Sequence, residues 1–416
     1  MRILLVNWTR RLAGGAEVYL GDLVPLLAAA GHQIALLHET SGPVDRAPIA
    51  LPPDSPAWCA DRLGATGALE RADRWTPDVL YVHGLLDPAF EARVLELGPA
   101  VFLAHGYYGT CISGAKTFGQ PTVKPCNRRF GWQCAALYYP RRTGGLSPVT
   151  MLREYRRQAD RLALLPRYRA VVTISEHMRR EYTRHGLAPE RVHRVTHYVK
   201  PPATPASPPP RTGPHHPYQL LFVGRMTPFK GGRTLIDALP EVARALPRPL
   251  HVALVGDGPS RVDWLRRAMR VARPASLDVD FVGWLSPERL DALYRRVDLL
   301  VLPSLWPEPF GQVGIEAAWR GVPTAAFDVG GITEWLEHGV GGRVAPGNPP
   351  TARGLATAVV ECLHDPAAHR RLREGAREAA QRFGGEAHVR ELTEILVASQ
   401  AQGAQSGGNA QPGSAP

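Results

Sequence analysis

Two carboxylates eight positions apart stand out in PSLWPEPFGQVGIEAAWRG (303–321): Glu308 and Glu316. Pro307 and Pro309 hold the segment around the first one extended, so Glu308 is not in a helix interior. Gly311 lets the backbone come close to a ligand. GQVGIEAAW then begins a helix, whose first N–H groups lack intrahelical partners and can meet phosphate or sugar oxygens. Glu316 lies about a turn and a half into it. Alone, Glu308 reads as a cap or turn residue and Glu316 as a surface helix glutamate. The prolines and glycines around the pair favour a binding site. FVGRMTPFKGG (222–232) is a second such stretch. A strand ends at Val223, Gly224 allows a tight exit, and Arg225 and Lys230 follow within one loop. Cations at the carboxyl end of a parallel strand sit where such sheets bind ligands, and a pyrophosphate is their natural anion. Each is worth about 4 kcal/mol at ~4 Å from a phosphate oxygen, with an effective dielectric of about 20 and before desolvation. The alternative is a solvated basic loop.

These loops need elements to position them. Apolar runs recur at 2–7, 32–38, 78–84, 100–106 and 170–176, and again at 219–225, 250–258, 279–284, 298–304 and 323–330. Such short, continuous runs fit strands buried on both faces of a parallel sheet. Helical patterns such as RTLIDALPEVARAL (233–246) and PERLDALYRRV (287–297) lie between them, which gives βαβ units. The 416 residues are too many for one ordinary domain. We expect an N-terminal Rossmann-like domain over 1–200, a Pro-rich linker over 201–217 and a second such domain over 218–385. A terminal helix over 386–398 and a disordered tail over 399–416 complete the chain. A 44% hydrophobic, 21% charged composition excludes a chain disordered throughout. No run of about 18 apolar residues suggests a membrane-spanning helix. MRILLVNWTRR is not a signal peptide, so we expect a cytoplasmic protein.

The Glu-x7-Glu spacing inside EPFGQVGIE occurs together with FVGRM, Lys230, LVGDGP (254–259) and DVGGITEWLEHGVGGRVAPG (328–347). In these features the chain resembles the retaining glycosyltransferases of family four. Their fold is GT-B, an α/β architecture of two Rossmann-like doubly wound domains facing a cleft. The resemblance runs to about residue 398, specific in the second domain and looser in the first. It implies that Arg225 and Lys230, beside Gly224, hold the diphosphate of a nucleoside-diphosphate sugar. It further implies that Glu308 contacts hydroxyls of the donor sugar and Glu316 those of the ribose, with backbone near Phe310 and Gly311 facing sugar and phosphates. Gly14 and Gly15 in LAGGAEVYL would bring backbone close to donor and acceptor, the alternative being an ordinary glycine turn. His105 ends AVFLAHG and is expected beside the reacting sugar, as a catalytic residue with Glu308, Arg225 and Lys230. His83 ends the preceding strand and reads more simply as a hydrogen-bonded structural residue. Ser175, before Glu176 in TISE, resembles the family's cleft-facing serine.

The formal charge of +11 is uneven. Residues 106–200 carry 18 Lys/Arg and 5 Asp/Glu, net +13, whereas 1–105 are net −4 and 201–416 net +2. Within this region 106–169 departs from a minimal family pattern, being aromatic, basic and Gly-rich without a clean period. Arg128, Arg129, Arg141 and Arg142 come in pairs near Trp132, Tyr138 and Tyr139. We expect an acceptor site here, with His105, Tyr107, Arg128, Arg129 and Ser175 on it. The partner would be a sugar or a lipid-linked anionic acceptor, or an anionic membrane face; a solvated basic surface is the alternative.

Three other signals are discounted. Asp278-Val279-Asp280 has an Asp-x-Asp form used elsewhere to bind metal, but it enters a strand. GDGPSR (256–261) begins like a dinucleotide fingerprint but has Arg261 at its sixth position. Cys111, Cys126 and Cys134 lack the paired spacing of zinc sites and read as free thiols. No metal or cofactor is expected beyond the substrate. A nucleotide-sugar epimerase of the same fold, or a non-catalytic binder of anionic lipid or nucleic acid, is the rival; neither explains both the Glu pair and the cation loop.

Overall fold

The computed structural model describes residues 1–202, 216–271 and 277–407. The first sheet comprises β1 (Arg2–Thr9), β2 (Gln33–Thr40), β3 (Ala57–Cys59), β4 (Val79–Gly84), β5 (Ala100–Ala104), β6 (Ala170–Thr173) and β7 (Val192–Arg194), in the order β3-β2-β1-β4-β5-β6-β7. The second comprises β8 (Tyr218–Val223), β9 (Leu250–Val255), β10 (Leu277–Gly283), β11 (Leu299–Leu302), β12 (Thr324–Phe327) and β13 (Gly342–Ala345), in the order β10-β9-β8-β11-β12-β13. Every pairing within them is parallel; Leu5, for instance, faces Leu36 on one side and Tyr81 on the other. Strand order reverses between β1 and β4 and between β8 and β11. At such reversals neighbouring loops diverge and open a crevice at the carboxyl ends of the strands.

The central strands are apolar on both faces because helices cover both: Ile3, Leu4, Leu5 and Val6 are all fully buried. β10 is different. Its residues alternate between covered and open, with Asp278 and Asp280 outward, as befits an edge strand. The expectation of burial on both faces fails there. Three strands gave no run: β3, β7 and β13 are three or four residues long and lie at sheet edges.

The helices that matter to the site are α1 (Gly15–Ala29), α2 (Pro148–Leu164), α3 (Glu176–Arg184), α4 (Gln312–Trp319) and α5 (Gly385–Gly407). One apolar cluster runs through both domains, from Leu5 and Val24 to Phe222, Ile315 and Leu392. α5 makes that continuity possible, because it leaves the second domain and packs on α1, β4 and β5 of the first. The terminal helix is also longer than 386–398. Ser399 is buried with its hydroxyl donating to Ile395 O at 2.8 Å, and the Ala/Gln-rich stretch after it continues the helix. The expected disorder is therefore wrong for 399–407, while 408–416 lie outside the described residues. Most of the expected Pro-rich linker, 203–215, also lies outside them.

The 106–169 stretch is more regular than its sequence suggested. It contains an antiparallel ladder of Thr117–Phe118 with Lys124–Pro125, a short helix Trp132–Ala136, and then α2. α2 starts on a standard signal, Ser147 capping Thr150 N and Pro148 in the first turn. A buried ion pair between Lys116 and Glu181 ties the stretch to α3. Lys116 Nζ also donates to Thr110 O at 3.1 Å and Arg128 O at 2.6 Å, the extra bonds a buried cation requires. Among the described residues no helix is long and apolar enough to cross a membrane.

Candidate active site

The loop after β8 and the loop after β11 are packed backbone to backbone. Gly231 has φ +72°, and a Cβ there would lie 1.7 Å from the carbonyl oxygen of Pro303. Only glycine allows that approach, and it brings Lys230 to Glu308. Lys230 Nζ lies 2.5 Å from Glu308 Oε1, and the Ser304 hydroxyl donates to the same oxygen at 2.6 Å. Glu308 is 4% exposed, and its Oε2 has no hydrogen bond among the described residues. One oxygen thus fixes the carboxylate and the other is free to accept from a hydroxyl. The Lys230 ammonium also lies 5.1 Å from the Trp306 ring centroid. Arg225 is exposed, and its side chain makes no hydrogen bond or ion pair among the described residues. It is a cation held ready at the end of β8, beside Gly224, whose amide donates to Val255 O.

α4 starts beside this pair. Gly311 (φ +88°) is its N-cap and offers no side chain, so the first amides are left for a ligand. Phe310 is committed to packing: its ring lies edge-on to His197 at 4.8 Å and its carbonyl accepts from Trp335 Nε1 at 2.6 Å. Glu316 is half-buried, with Tyr294 Oη at 3.2 Å from Oε2 and Gln312 Nε2 at 3.1 Å from Oε1. Burial raises its pKa above the ordinary carboxylate value, while Arg320, Tyr294 and Gln312 offset part of that.

The first domain closes over these loops. A Cβ on Gly15 would lie 4.0 Å from Gln312 Oε1, so Gly15 faces the start of α4. Gly14 is the N-cap of α1, and Glu17 in its first turn accepts from Trp8 Nε1 at 2.8 Å. His105 is half-buried, and its Nε2 lies 3.0 Å from His83 Nδ1. Burial pushes His105 down to about 4 and His83 well below the ordinary histidine value, so both rings are neutral at pH 7. Tyr19 joins the group, edge-on to His105 and stacked on His197, with its hydroxyl 2.7 Å from His388 Nε2 on α5.

Two residues expected on the acceptor side have their hydroxyls engaged elsewhere. Tyr107 is buried and its hydroxyl donates to Pro307 O at 2.5 Å; Ser175 is buried and donates to Pro309 O at 2.6 Å. Both polar tips meet backbone of the Glu308 loop instead of open space. Arg128 and Arg129 are exposed and bond within the 106–169 stretch, Arg128 through the Gln133 side chain and Arg129 through its carbonyl to Cys134 Sγ. Arg141 lies over the Phe118 ring, and Arg142 is exposed. Of the aromatic residues, Tyr138 is core and cannot stack on a sugar, whereas Trp132 is 71% exposed.

Asp278 and Asp280 flank His251, with Nε2 3.8 and 3.0 Å from their oxygens. This set, with the aspartates exposed and His251 half-buried, lies at the amino ends of β9 and β10, away from the cleft. Among the described residues, Cys111, Cys126 and Cys134 do not gather into a ligand set. Burial raises the thiols of Cys126 and Cys134, with nearby thiols adding to it. A cavity of about 1210 Å³, lined by Asp78, Arg169 and Glu394 among others, lies at the amino ends of the first-domain strands, opposite the cleft. Residues that escaped the sequence reading are Ser304, Trp306, His197, His388, Tyr19 and Glu334. Ser304 and Trp306 flank the Glu308 motif and were open to notice; the others act across the domain seam.

The chain matches a family model described as Glycosyl transferases group 1 over residues 217–365 and one described as Glycosyltransferase Family 4 over 13–201. A glycogen synthase from Mycobacterium tuberculosis is 31% identical, the match covering 91% of this chain and 90% of that one. Among solved structures, Anabaena HepE in complex with UDP and glucose aligns with a TM-score of 0.65 at 19% identity, over 95% of this chain and 99% of that one. A sucrose-phosphate synthase from Thermosynechococcus elongatus aligns with a TM-score of 0.66 at 20% identity, over 97% and 100%. These two share the GT-B fold of this chain. Sequence kinship over nine-tenths of both chains goes further than shape, and the chain is a glycosyltransferase that belongs to family 4.

Proposed function

We propose that the protein is a retaining transferase that moves a hexose from a nucleoside-diphosphate sugar to an acceptor hydroxyl, in the synthesis of a glycan, glycolipid or cell-surface polysaccharide. One observation carries the proposal: Glu308 is fixed through one oxygen by Lys230 and Ser304 and left open at the other, beside a helix start with no cap. A sugar hydroxyl suits the open oxygen, and the diphosphate suits Arg225, Lys230 and the free amides. UDP bound to HepE, which shares the fold, supports a nucleotide in this cleft. Glu17, a first-domain carboxylate near the glycine pair, is occupied by Trp8, which favours front-side attack over a glycosyl-enzyme. Catalysis then consists of positioning and of stabilising charge on the departing diphosphate. Arg225 and Lys230 supply that positive charge without a bound metal. An epimerase would need general acid–base carboxylates at the sugar, and a non-catalytic binder of anionic lipid or nucleic acid leaves the Glu308 and Arg225–Lys230 loops unexplained.

The acceptor belongs to an anionic surface, with the protein cytoplasmic and peripheral to a membrane. Trp132, Tyr139, Leu146, Val149 and Leu152 are exposed within twenty-one residues that also hold Arg141 and Arg142, a mixture suited to an interface. The decisive experiment is a screen of UDP- and GDP-sugars with the purified protein, reading diphosphate release and the anomeric configuration of the product by NMR. Glu308→Ala should lower turnover by about 10²–10³. If it kept more than a third of wild-type turnover, the donor assignment would be wrong. An inverted product would remove the retaining mechanism.

A further inference from the structure

The Glu308 loop is held in an unusual way. Pro307 and Pro309 have no N–H, so the segment must be fixed largely through its carbonyls. Those carbonyls alternate in where their donors come from. Pro307 O accepts from Tyr107 of the first domain, Glu308 O from the Gly331 amide of the second at 2.8 Å, and Pro309 O from Ser175 of the first. The reciprocal contact comes from Glu334, three residues after Gly331. Its Oε2 accepts from Glu176 N at 2.7 Å and its Oε1 from His177 N at 2.8 Å, so a second-domain carboxylate caps the first-domain helix α3. Ser175 takes part twice, accepting from Met178 N as the N-cap while donating to Pro309 O. The Tyr107 hydroxyl gives its one proton to Pro307 O, so His177 Nε2, 2.8 Å away, donates to it. The close fit extends to the backbone: a Cβ on Gly330 would lie 2.1 Å from Glu308 O, and one on Gly331 2.9 Å from the Ser175 Cβ.

From this geometry we infer that Tyr107, Ser175 and Glu334 are positioning residues that complete the support of the Glu308 loop, through the backbone on either side of it, only when the two domains are closed. The inference rests on the donor-site reading of Glu308 given above. On opening, the carbonyls on either side of Glu308 lose their donors and α3 loses two cap bonds together. Closure over a bound donor therefore completes the hold on the Glu308 backbone in the same step, whereas in an open enzyme Glu308 keeps only its second-domain contacts to Lys230, Ser304 and the Gly331 amide. Arg225 and Lys230 lie on a second-domain loop and do not depend on these contacts.

The test uses the full chain with Tyr107→Phe, Glu334→Gln and Glu334→Ala. Three readouts are taken: kcat with the donor found by the screen, affinity for UDP or GDP, and amide hydrogen exchange. Tyr107→Phe should lower kcat about tenfold while nucleoside diphosphate affinity stays within about twofold. Glu334→Ala should do the same, and Glu334→Gln, which keeps one acceptor oxygen, should recover part of the loss. Exchange should quicken in peptides covering 305–311 and 175–178 and stay unchanged in β11. The latch is refuted if exchange at 305–311 matches wild type in both Tyr107→Phe and Glu334→Ala, or if kcat is unchanged, or if kcat falls only in step with diphosphate affinity. The exchange measurement needs no turnover, so a chain that transfers no sugar would sink the donor reading and still decide the latch. Should Tyr107→Phe fold poorly, the difference between Glu334→Gln and Glu334→Ala decides the same question.

Discussion

Mild acid should loosen the domain seam, and His197 is where the size of that effect can be worked out. The ring is 3% exposed, stacked on Tyr19 at 5.3 Å and edge-on to Phe310 at 4.8 Å. Burial pushes its pKa down to about 3, with His388 and His105 adding to the fall and Gln312 pulling weakly the other way. The folded value lies below the unfolded one, so the unfolded chain takes the proton first as pH drops. The stabilisation from the neutral ring is complete above about pH 6.5 and is lost progressively below it, down to about pH 3. Between pH 7 and pH 5 that difference amounts to about 2 kcal/mol for this one group. His197→Phe keeps the aromatic contacts and removes the titration. Urea unfolding at pH 7 and pH 5 should therefore show wild type losing about 2 kcal/mol more than the variant. Buried carboxyls raised by desolvation, such as Glu316 and Asp298, work in the opposite direction, but they are common to both proteins and cancel. If the two proteins lost the same stability to within about 0.5 kcal/mol, a buried neutral His197 would be excluded.

The other expectations concern substrates. Glu316→Ala should raise the donor KM more than it lowers kcat, since the ribose lies away from the bond being broken; an unchanged KM with a collapsed kcat would exchange its role with that of Glu308. Arg225→Ala and Lys230→Ala should each weaken inhibition by free nucleoside diphosphate, and the double variant should fall short of their summed effects because both act on one group. Diphosphate binding equal to wild type in both would remove the cation clamp. Changing Arg128, Arg129, Arg141 and Arg142 to Gln should lower binding to anionic vesicles at low salt without altering donor affinity. Wild type that ignores such vesicles at low salt would leave the basic stretch a solvated surface.

Much of this was legible in the residues because the signals were local. The central strands announce themselves as continuous apolar runs, since helices cover both their faces. The Glu308 and Lys230 loops are marked by prolines and glycines whose backbone limits do not depend on the rest of the chain. The edge strands β3, β7 and β13 were missed because three or four residues beside open solvent leave no run to read. The helix α2 was missed although Ser147 and Pro148 announce its start, because the aromatic and glycine-rich lead-in before it has no period. The tail beyond 398 was read as polar and therefore disordered; α5, which docks on the first domain and is buried as far as Ser399, runs on to Gly407.

That Tyr107 and Ser175 turn their hydroxyls to the facing domain has a different cause, which bears on any two-domain cleft. A residue just past the carboxyl end of a parallel strand faces the crevice, and the sequence states that much. It does not state whether the crevice holds ligand or the other domain at that point. His105 and Tyr107 are two positions apart, yet the first meets His83 within its own domain and the second crosses to Pro307. What separates them lies on the opposite wall. The two prolines around Glu308 remove N–H groups that would otherwise anchor the loop and leave carbonyls that need donors, and hydroxyls from the facing domain supply them. The same prolines that mark Glu308 as a site thus also determine which first-domain residues are spent on holding it, a pairing of residues some two hundred and one hundred and thirty positions apart in the chain. Glu334 fits the same logic in reverse, since the start of α3 needs acceptors for amides that Ser175 alone cannot satisfy.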